Sequence, residues 1–136
     1  MITVYASGVF DLFHYGHVRL LKSAKSFGDY LLVGIPSDET VLKYRERYPM
    51  MGFKERMEVV SAIYCVDETM EHPPDPEIDE AFYKKHKIDV HVQGDHPEWY
   101  QCAINLGIFQ LVPYTEEIST TEVLKRMRNR LRQENS

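Results

Sequence analysis

The chain has 136 residues, of which 43% are hydrophobic, and this is enough for one domain with a real core, which we expect to span residues 1–136. Its net charge of −5 argues against a general nucleic-acid-binding protein, and no segment approaches the roughly 20 apolar residues that a membrane span needs. The sequence shows no basic, apolar leader, so we expect a cytoplasmic protein. Cys65 and Cys102 have neither metal-binding nor redox spacing, and we interpret them as buried free thiols.

Short apolar runs alternate with segments of helical periodicity along the chain. The predicted strands are 2–6, 30–35, 66–70, 89–93 and 109–112. The predicted helices are 17–27, 37–45, 53–64, 77–86, 97–106 and 119–132. This alternation predicts a single Rossmann-like α/β domain, with a five-stranded parallel sheet and helices on both faces.

Three loops of this predicted sheet carry polar residues that could form a site. The first lies between the first strand and the first helix, the second is 93–96 after the fourth strand, and the third is 113–121 after the fifth. The carboxyl ends of parallel strands meet at one edge, where open α/β sheets bind ligands. We therefore expect the three loops to line one site.

The first of these loops has the sequence Gly-Val-Phe-Asp-Leu-Phe-His-Tyr-Gly-His over residues 8–17 and places His14 and His17 at the start of a helix. A helix N-terminus favours an anion such as phosphate, and imidazoles can donate hydrogen bonds to phosphoryl oxygens. Zinc would need further ligands. Nothing in the spacing selects Asp11, Asp95 or His96, so we expect no metal held by the protein itself.

Residues 8–17 resemble the HxGH signature of the nucleotidyltransferases, and the longer match is similar to the cytidylyltransferase group of glycerol-3-phosphate, phosphocholine and phosphoethanolamine enzymes. A second segment, 117–121, resembles the RTEGISTT segment of that group. The resemblance covers nearly the whole chain, whose length is close to that of the compact bacterial glycerol-3-phosphate cytidylyltransferases. HxGH alone is a modest signal, and the two segments together are a specific one.

The resemblance implies transfer of CMP from CTP to a small phosphorylated or phosphonylated acceptor, giving a CDP-linked product and pyrophosphate. It also implies Mg²⁺ bound through the nucleotide phosphates, and a homodimer. The catalytic residues that it implies are His14, His17, Lys43 and Arg45. The nucleotide-binding residues that it implies are Gly8, Val9, Phe10, Asp11, Gly16, Arg56, Gly94, Asp95, Tyr114, Thr115, Ile118, Ser119 and Thr120.

Three positions depart from the group's pattern. Tyr64 and Tyr114 stand where the resembling enzymes carry Arg, and Glu117 stands where they carry Gly. Tyrosine cannot offer the charged, forked donor of arginine. We therefore expect two cationic contacts to be missing and glycerol 3-phosphate to be a poor acceptor.

Several alternatives stay open at this point. An adenylyltransferase would use ATP with the same HxGH chemistry, and a catalytically weak nucleotide-binding regulatory protein would explain the three departures. The acceptor could be glycerol phosphate, a sugar or polyol phosphate, an aminoalcohol phosphate or a phosphonate. Ser119 fits both helix capping and phosphate binding, while Trp99 and Tyr100 fit both a core and a stacking role.

Overall fold

Five parallel strands form one sheet in the computed structural model, which describes residues 1–74, 78–113, 115 and 118–135. The sheet order is β3-β2-β1-β4-β5, and every neighbouring pair is parallel. The strands are Thr3–Ser7 (β1), Tyr30–Ile35 (β2), Glu68–Glu71 (β3), Val90–Gln93 (β4) and Phe109–Leu111 (β5).

Helices follow the strands in the order that the sequence predicts, so the α/β fold with a five-stranded parallel sheet is confirmed. The helices are Tyr15–Lys25 (α1), Asp38–Arg45 (α2), Phe53–Ser61 (α3), Glu80–Lys85 (α4), Gln101–Asn105 (α5) and Thr120–Glu134 (α6), with a short 3-10 helix at Pro97–Trp99. Within the described ranges, no helix is both long and apolar enough to cross a membrane.

The alternation of side chains along β1 builds two cores, one on each face of the sheet. On one face Val4 and Ala6 pack with residues of α1 and α3, including Leu21 and Val60. On the other face Tyr5 packs with the buried aromatic residues of α4 and with Ala103 of α5. The prediction of helices on both faces is therefore confirmed, and β1 is buried along its whole length.

Some boundaries differ from the prediction for local reasons. Helix α1 begins at Tyr15 rather than 17, because His14 provides the N-cap. The predicted helix 97–106 is divided, because His96 has a φ of 49° and Tyr100 leaves the helical region before α5. Helix α4 begins at Glu80, where the Asp79 side chain accepts from the backbone N–H of Phe82. Cys65 is buried and Cys102 is half-buried, and both are free thiols.

The sheet order reverses between β1 and β4, and this is where a crevice is expected. The ladder between them pairs only Val4 with Val90 and Tyr5 with His91. Beyond it the Gln93 side chain joins the strands: its Oε1 accepts from the Ser7 backbone N–H at 2.9 Å, and its Nε2 donates to the Ser7 carbonyl at 3.1 Å. The Gln93 side-chain amide therefore links β1 and β4 beyond their last backbone pair, at the bottom of the expected crevice.

Candidate active site

A cleft of about 700 Å³ lies at the carboxyl ends of the strands. Residues of all three loops line it together with residues of α2 and the segment after it, so the expectation that these loops meet at one edge is confirmed. The lining includes most of the residues implicated by the sequence, namely Gly8, Val9, Phe10, Asp11, His14, Gly16, His17, Arg45, Gly94, Asp95, Thr115, Ile118, Ser119 and Thr120.

His14 and His17 cap α1 together. The Nδ1 atom of His14 accepts a hydrogen bond from the Gly16 backbone N–H at 3.1 Å, and the Nδ1 atom of His17 accepts from the His14 backbone N–H at 3.1 Å. The rings stack with centroids 3.8 Å apart. Because each Nδ1 accepts, each neutral ring carries its hydrogen on Nε2. The capping box thus fixes the tautomer of both histidines.

The Nε2 atom of His14 is buried and has no hydrogen-bond partner among the residues that the structure describes. A buried donor without a partner costs roughly 1–3 kcal/mol, so an acceptor from a ligand would relieve this cost. Burial lowers the pKa of His14 below its usual value. Burial, with smaller contributions from His14 and Arg45, lowers the pKa of His17 to about 3. The pair therefore offers neutral N–H donors at physiological pH.

Gly16 is required because His14 and Ile118 both pack against its Cα atom. A Cβ atom at this position would lie 2.9 Å from Cε1 of His14 and 2.9 Å from Cγ2 of Ile118. Ile118 is buried and precedes α6, so the missing side chain lets the loop after β5 approach the start of α1. The glycine of the HxGH pattern therefore brings two of the three loops together.

Asp11 holds three segments of the cleft in place rather than reaching into it as a free carboxylate. Its two oxygens accept from the backbone N–H groups of Met50 and Met51, both at 2.8 Å. Its carbonyl oxygen accepts from the Thr120 hydroxyl at 2.8 Å. Asp11 thereby ties the β1–α1 loop to the segment before α3 and to the first turn of α6.

Arg56 was implicated in nucleotide binding, but the structure places it beneath the cleft. Its side chain is fully buried and makes four hydrogen bonds, at 2.7–3.0 Å. The acceptors are the carbonyl oxygens of Met51, Val9 and Pro36 and the carboxylate of Asp38. Arg56 therefore positions the backbone of two cleft-lining loops, because α3 carries it under them.

The loop after β5 presents the start of α6 to the cleft. The Ser119 hydroxyl oxygen accepts from the Glu122 backbone N–H at 3.0 Å, and this confirms its predicted role as the N-cap. Thr120 uses its hydroxyl to bond Asp11, so it positions α6. Both residues line the cleft, where the first turn of a helix favours negative charge.

The cations of α2 and of the segment after it do not all line the cleft. Arg45 and Arg47 line the cleft, whereas Lys43 is exposed outside the lining, with its ammonium 5.9 Å from the Tyr44 ring centroid. Tyr64 also lies outside the lining, with 78% exposure and the Lys22 ammonium 6.0 Å from its ring centroid. Tyr64 itself therefore does not reach this cleft. Tyr114 and Glu117 lie outside the described residues.

Sequence reasoning missed several residues of the lining. His72 follows β3, so the rule that placed the other loops at this edge could have found it. Tyr44 and Tyr48 were missed as well. His96, Trp99 and Tyr100, which the sequence did single out, also line the cleft, and Trp99 stacks on His96 with ring centroids 4.0 Å apart. Trp99 is 53% exposed, which favours the stacking role over the core role.

No group of three or more His, Cys, Asp or Glu residues able to hold a metal ion occurs in the part of the chain that the structure describes. Both carboxylate oxygens of Asp11 already accept backbone N–H groups.

Comparisons with known proteins agree with this geometry. A family model described as cytidylyltransferase-like matches residues 5–126. The chain is 35% identical over 137 residues to an ethanolamine-phosphate cytidylyltransferase of Arabidopsis thaliana, covering 93% of this chain and 32% of that protein. It is 34% identical over 138 residues to the choline-phosphate cytidylyltransferase A of Homo sapiens, covering 93% of this chain and 36% of that protein. The chain thus spans about a third of the length of these curated relatives.

A solved structure is also similar. The crystal structure of the lipopolysaccharide core biosynthesis protein from Thermoplasma volcanium GSS1 superposes with a TM-score of 0.68 at 27% identity. The match covers 85% of this chain and 99% of that one.

Proposed function

The chain belongs to the cytidylyltransferase-like family, and on that premise we propose that it transfers CMP from CTP to a small phosphorylated acceptor. The observation that carries the proposal is the His14–His17 pair, whose fixed tautomers present N–H donors at a helix N-terminus inside a cleft. Such donors suit the oxygens of a transferring phosphoryl group.

The proposed reaction needs no nucleophile from the protein. A phosphate oxygen of the acceptor forms a bond to the α-phosphorus of CTP, the bond from that phosphorus to the bridging oxygen breaks, and pyrophosphate leaves with the electron pair. The Nε2–H groups of His14 and His17 donate to the phosphoryl oxygens, where negative charge is held during the transfer. Arg45 and Arg47 neutralise the triphosphate from the α2 side of the cleft.

We also propose that Mg²⁺ accompanies CTP as part of the substrate. The ion would neutralise phosphate oxygens, and the α1 and α6 helix starts would bind the remaining ones. Thermal stability measured with CTP, with and without Mg²⁺, tests this. We expect the larger rise in melting temperature when both are present, because a ligand that binds only the folded state stabilises it.

For the acceptor we propose ethanolamine phosphate first and choline phosphate second. The support is that curated relatives at 32–37% identity over 93% of this chain carry these acceptors in their names. The exposed Trp99 ring also offers a face on which a cationic head can sit. Glycerol 3-phosphate is then the poor acceptor that the sequence predicts.

A homodimer in the cytoplasm remains a proposal from the family resemblance. Exposed apolar residues on α6, among them Met127 and Leu131, are compatible with a contact between copies. Light scattering on the purified chain measures the mass directly, and a monomer at micromolar concentration would contradict the dimer.

A pyrophosphate-release screen of four nucleoside triphosphates against a panel of phosphorylated acceptors tests the reaction class. We expect release with CTP and an aminoalcohol phosphate only. Release with ATP in place of CTP would favour the adenylyltransferase. CTP binding without release for any acceptor would favour the regulatory protein.

A further inference from the structure

His72 is a cleft residue that the resemblance does not explain. It follows β3, lines the cleft, and donates its backbone N–H to the Ile35 carbonyl at 2.9 Å. Its Nδ1 atom is in short hydrogen-bond contact with the hydroxyl of Tyr5, which lies on β1 and is fully buried. The two side chains therefore meet over β2, the strand that lies between β1 and β3.

Gly34 makes the contact between Tyr5 and His72 possible. A Cβ atom at Gly34 would lie 1.9 Å from the Tyr5 hydroxyl oxygen and 3.0 Å from Nδ1 of His72. Any side chain at this position of β2 would therefore occupy the place where the two polar groups meet. The missing side chain thus leaves space over one face of the sheet at this point, and the Tyr5–His72 pair fills it.

The pair fixes which ring nitrogen of His72 carries the hydrogen. Within the described ranges, the Tyr5 hydroxyl has no other hydrogen-bond partner, so donation to Nδ1 is the arrangement that satisfies this buried phenol. The hydrogen of His72 is then on Nε2, for which the described residues offer no partner. Burial lowers the pKa of His72 to about 4, so the ring is neutral at physiological pH.

His72 and the His14–His17 pair belong to opposite faces of the sheet. Helix α1, which His14 caps, packs on the face of Val4 and Ala6. His72 bonds Tyr5, which belongs to the other face, together with α4 and α5. In-line phosphoryl transfer brings the nucleophile to the side of the phosphorus opposite the leaving group. If the His14–His17 side of the cleft holds the triphosphate with its leaving pyrophosphate, the acceptor approaches from the opposite side, where His72 lies.

We infer that the Nε2–H of His72 binds the phosphate of the acceptor and orients it toward CTP. This inference rests on the proposed function and identifies His72 as an acceptor-binding residue. Tyr5 and Gly34 then act through His72: Tyr5 sets its tautomer, and Gly34 leaves the space for the contact.

Two variants of His72 distinguish the roles of its two ring nitrogens. In His72→Asn the side-chain oxygen can still accept from Tyr5, but the distal donor is lost. In His72→Gln the amide nitrogen stands closer to the position of Nε2 and can still donate. We expect the Kd of phosphoethanolamine, measured by calorimetry on protein saturated with α,β-methylene CTP, to rise about 10- to 100-fold in His72→Asn. In His72→Gln we expect the rise to be several times smaller.

Steady-state kinetics should show the same pattern, with the KM for phosphoethanolamine raised in His72→Asn and the KM for CTP unchanged. Equal effects of both variants on the acceptor, no effect, or a raised KM for CTP would overturn the assignment. Urea unfolding of both variants checks that the fold persists. A failure of the proposed function would appear in the parent protein, as no binding or turnover of any acceptor, whereas a failure of the His72 assignment alone would appear only in the variants.

Discussion

His14 uses its two ring nitrogens differently. Nδ1 accepts from Gly16 and so caps α1, while Nε2 stays without a partner among the described residues. Asparagine can replace the first interaction but not the second, because its short side chain ends where Nδ1 stands. The role of the His14 Nε2–H donor can therefore be tested with the helix cap left in place.

We predict that His14→Asn lowers kcat for CMP transfer by about 10²–10³-fold, the usual cost of losing one donor to a transition-state oxyanion. The melting temperature should change little, because the cap is kept. His14→Ala serves as the comparison, since it loses both interactions and about 1 kcal/mol of stability as well. Near-normal turnover by His14→Asn would remove His14 from the reaction.

Gly16→Ala tests the packing of the HxGH turn. The added methyl would meet His14 and Ile118 at 2.9 Å, so we expect a loss of about 1–3 kcal/mol and displacement of the histidine ring. The matched control is Gly94→Ala, whose methyl would meet only a Leu20 side-chain atom at 3.6 Å. Urea unfolding should find the control nearly as stable as the parent. Equal stability of Gly16→Ala would contradict the packing argument.

At the scale of whole elements, Arg56 connects α3 to the loops after β1 and β2. We predict that Arg56→Lys costs about 2–3 kcal/mol of unfolding free energy and weakens CTP binding, since an ammonium cannot make the four bonds of the guanidinium. Asp38→Asn keeps the three bonds to backbone carbonyls and should cost less than half as much. Denaturant titration and CTP calorimetry measure both effects, and a milder Arg56→Lys than Asp38→Asn would refute this role.

The sequence predicts most elements because their patterns are local. The apolar run at residues 30–35 corresponds to β2, and the Ser119 cap marks the start of α6. The sequence predicts the start of α1 two residues late, because histidine is not among the usual N-cap residues. The predicted helix 97–106 was too long, because the left-handed backbone of His96 has no periodicity signal.

Site residues that belong to a local motif can be predicted from the sequence. Site residues whose positions depend on contacts with distant parts of the chain cannot. The His14 turn was identified from its own residues. The burial of Arg56 depends on Val9, 47 residues away, and the position of His72 depends on Tyr5, 67 residues away. No local pattern contains such contacts, so the resemblance assigned Arg56 a role in binding and left His72 unassigned.

At the scale of the whole molecule, buried neutral histidines should make stability depend on pH. Burial lowers the pKa of His17 and His91 to about 3 and that of His72 to about 4. The unfolded chain takes up these protons near pH 6.5, so stability is full above pH 6.5 and is lost as the pH falls. For His91, which is fully buried, we expect about 1 kcal/mol of this loss between pH 6.5 and 5.5.

Urea unfolding at pH 7.5, 6.5 and 5.5 measures this dependence. The slope below pH 6.5 should exceed the uptake of one proton and should decrease by about one proton in His91→Asn. A free energy of unfolding that stays constant from pH 7.5 to 5.5 would show that the three rings are protonated equally in the folded and unfolded chains.

The proposed transfer of CMP from CTP in the His14–His17 cleft is tested most directly by ³¹P NMR of a single reaction. With CTP, Mg²⁺ and phosphoethanolamine, we predict that the resonances of CTP are replaced by those of pyrophosphate and of an asymmetric diphosphate diester. The same spectra with His14→Asn should show almost no product. A parent protein that leaves CTP intact, or hydrolyses it without forming the diester, would contradict the account.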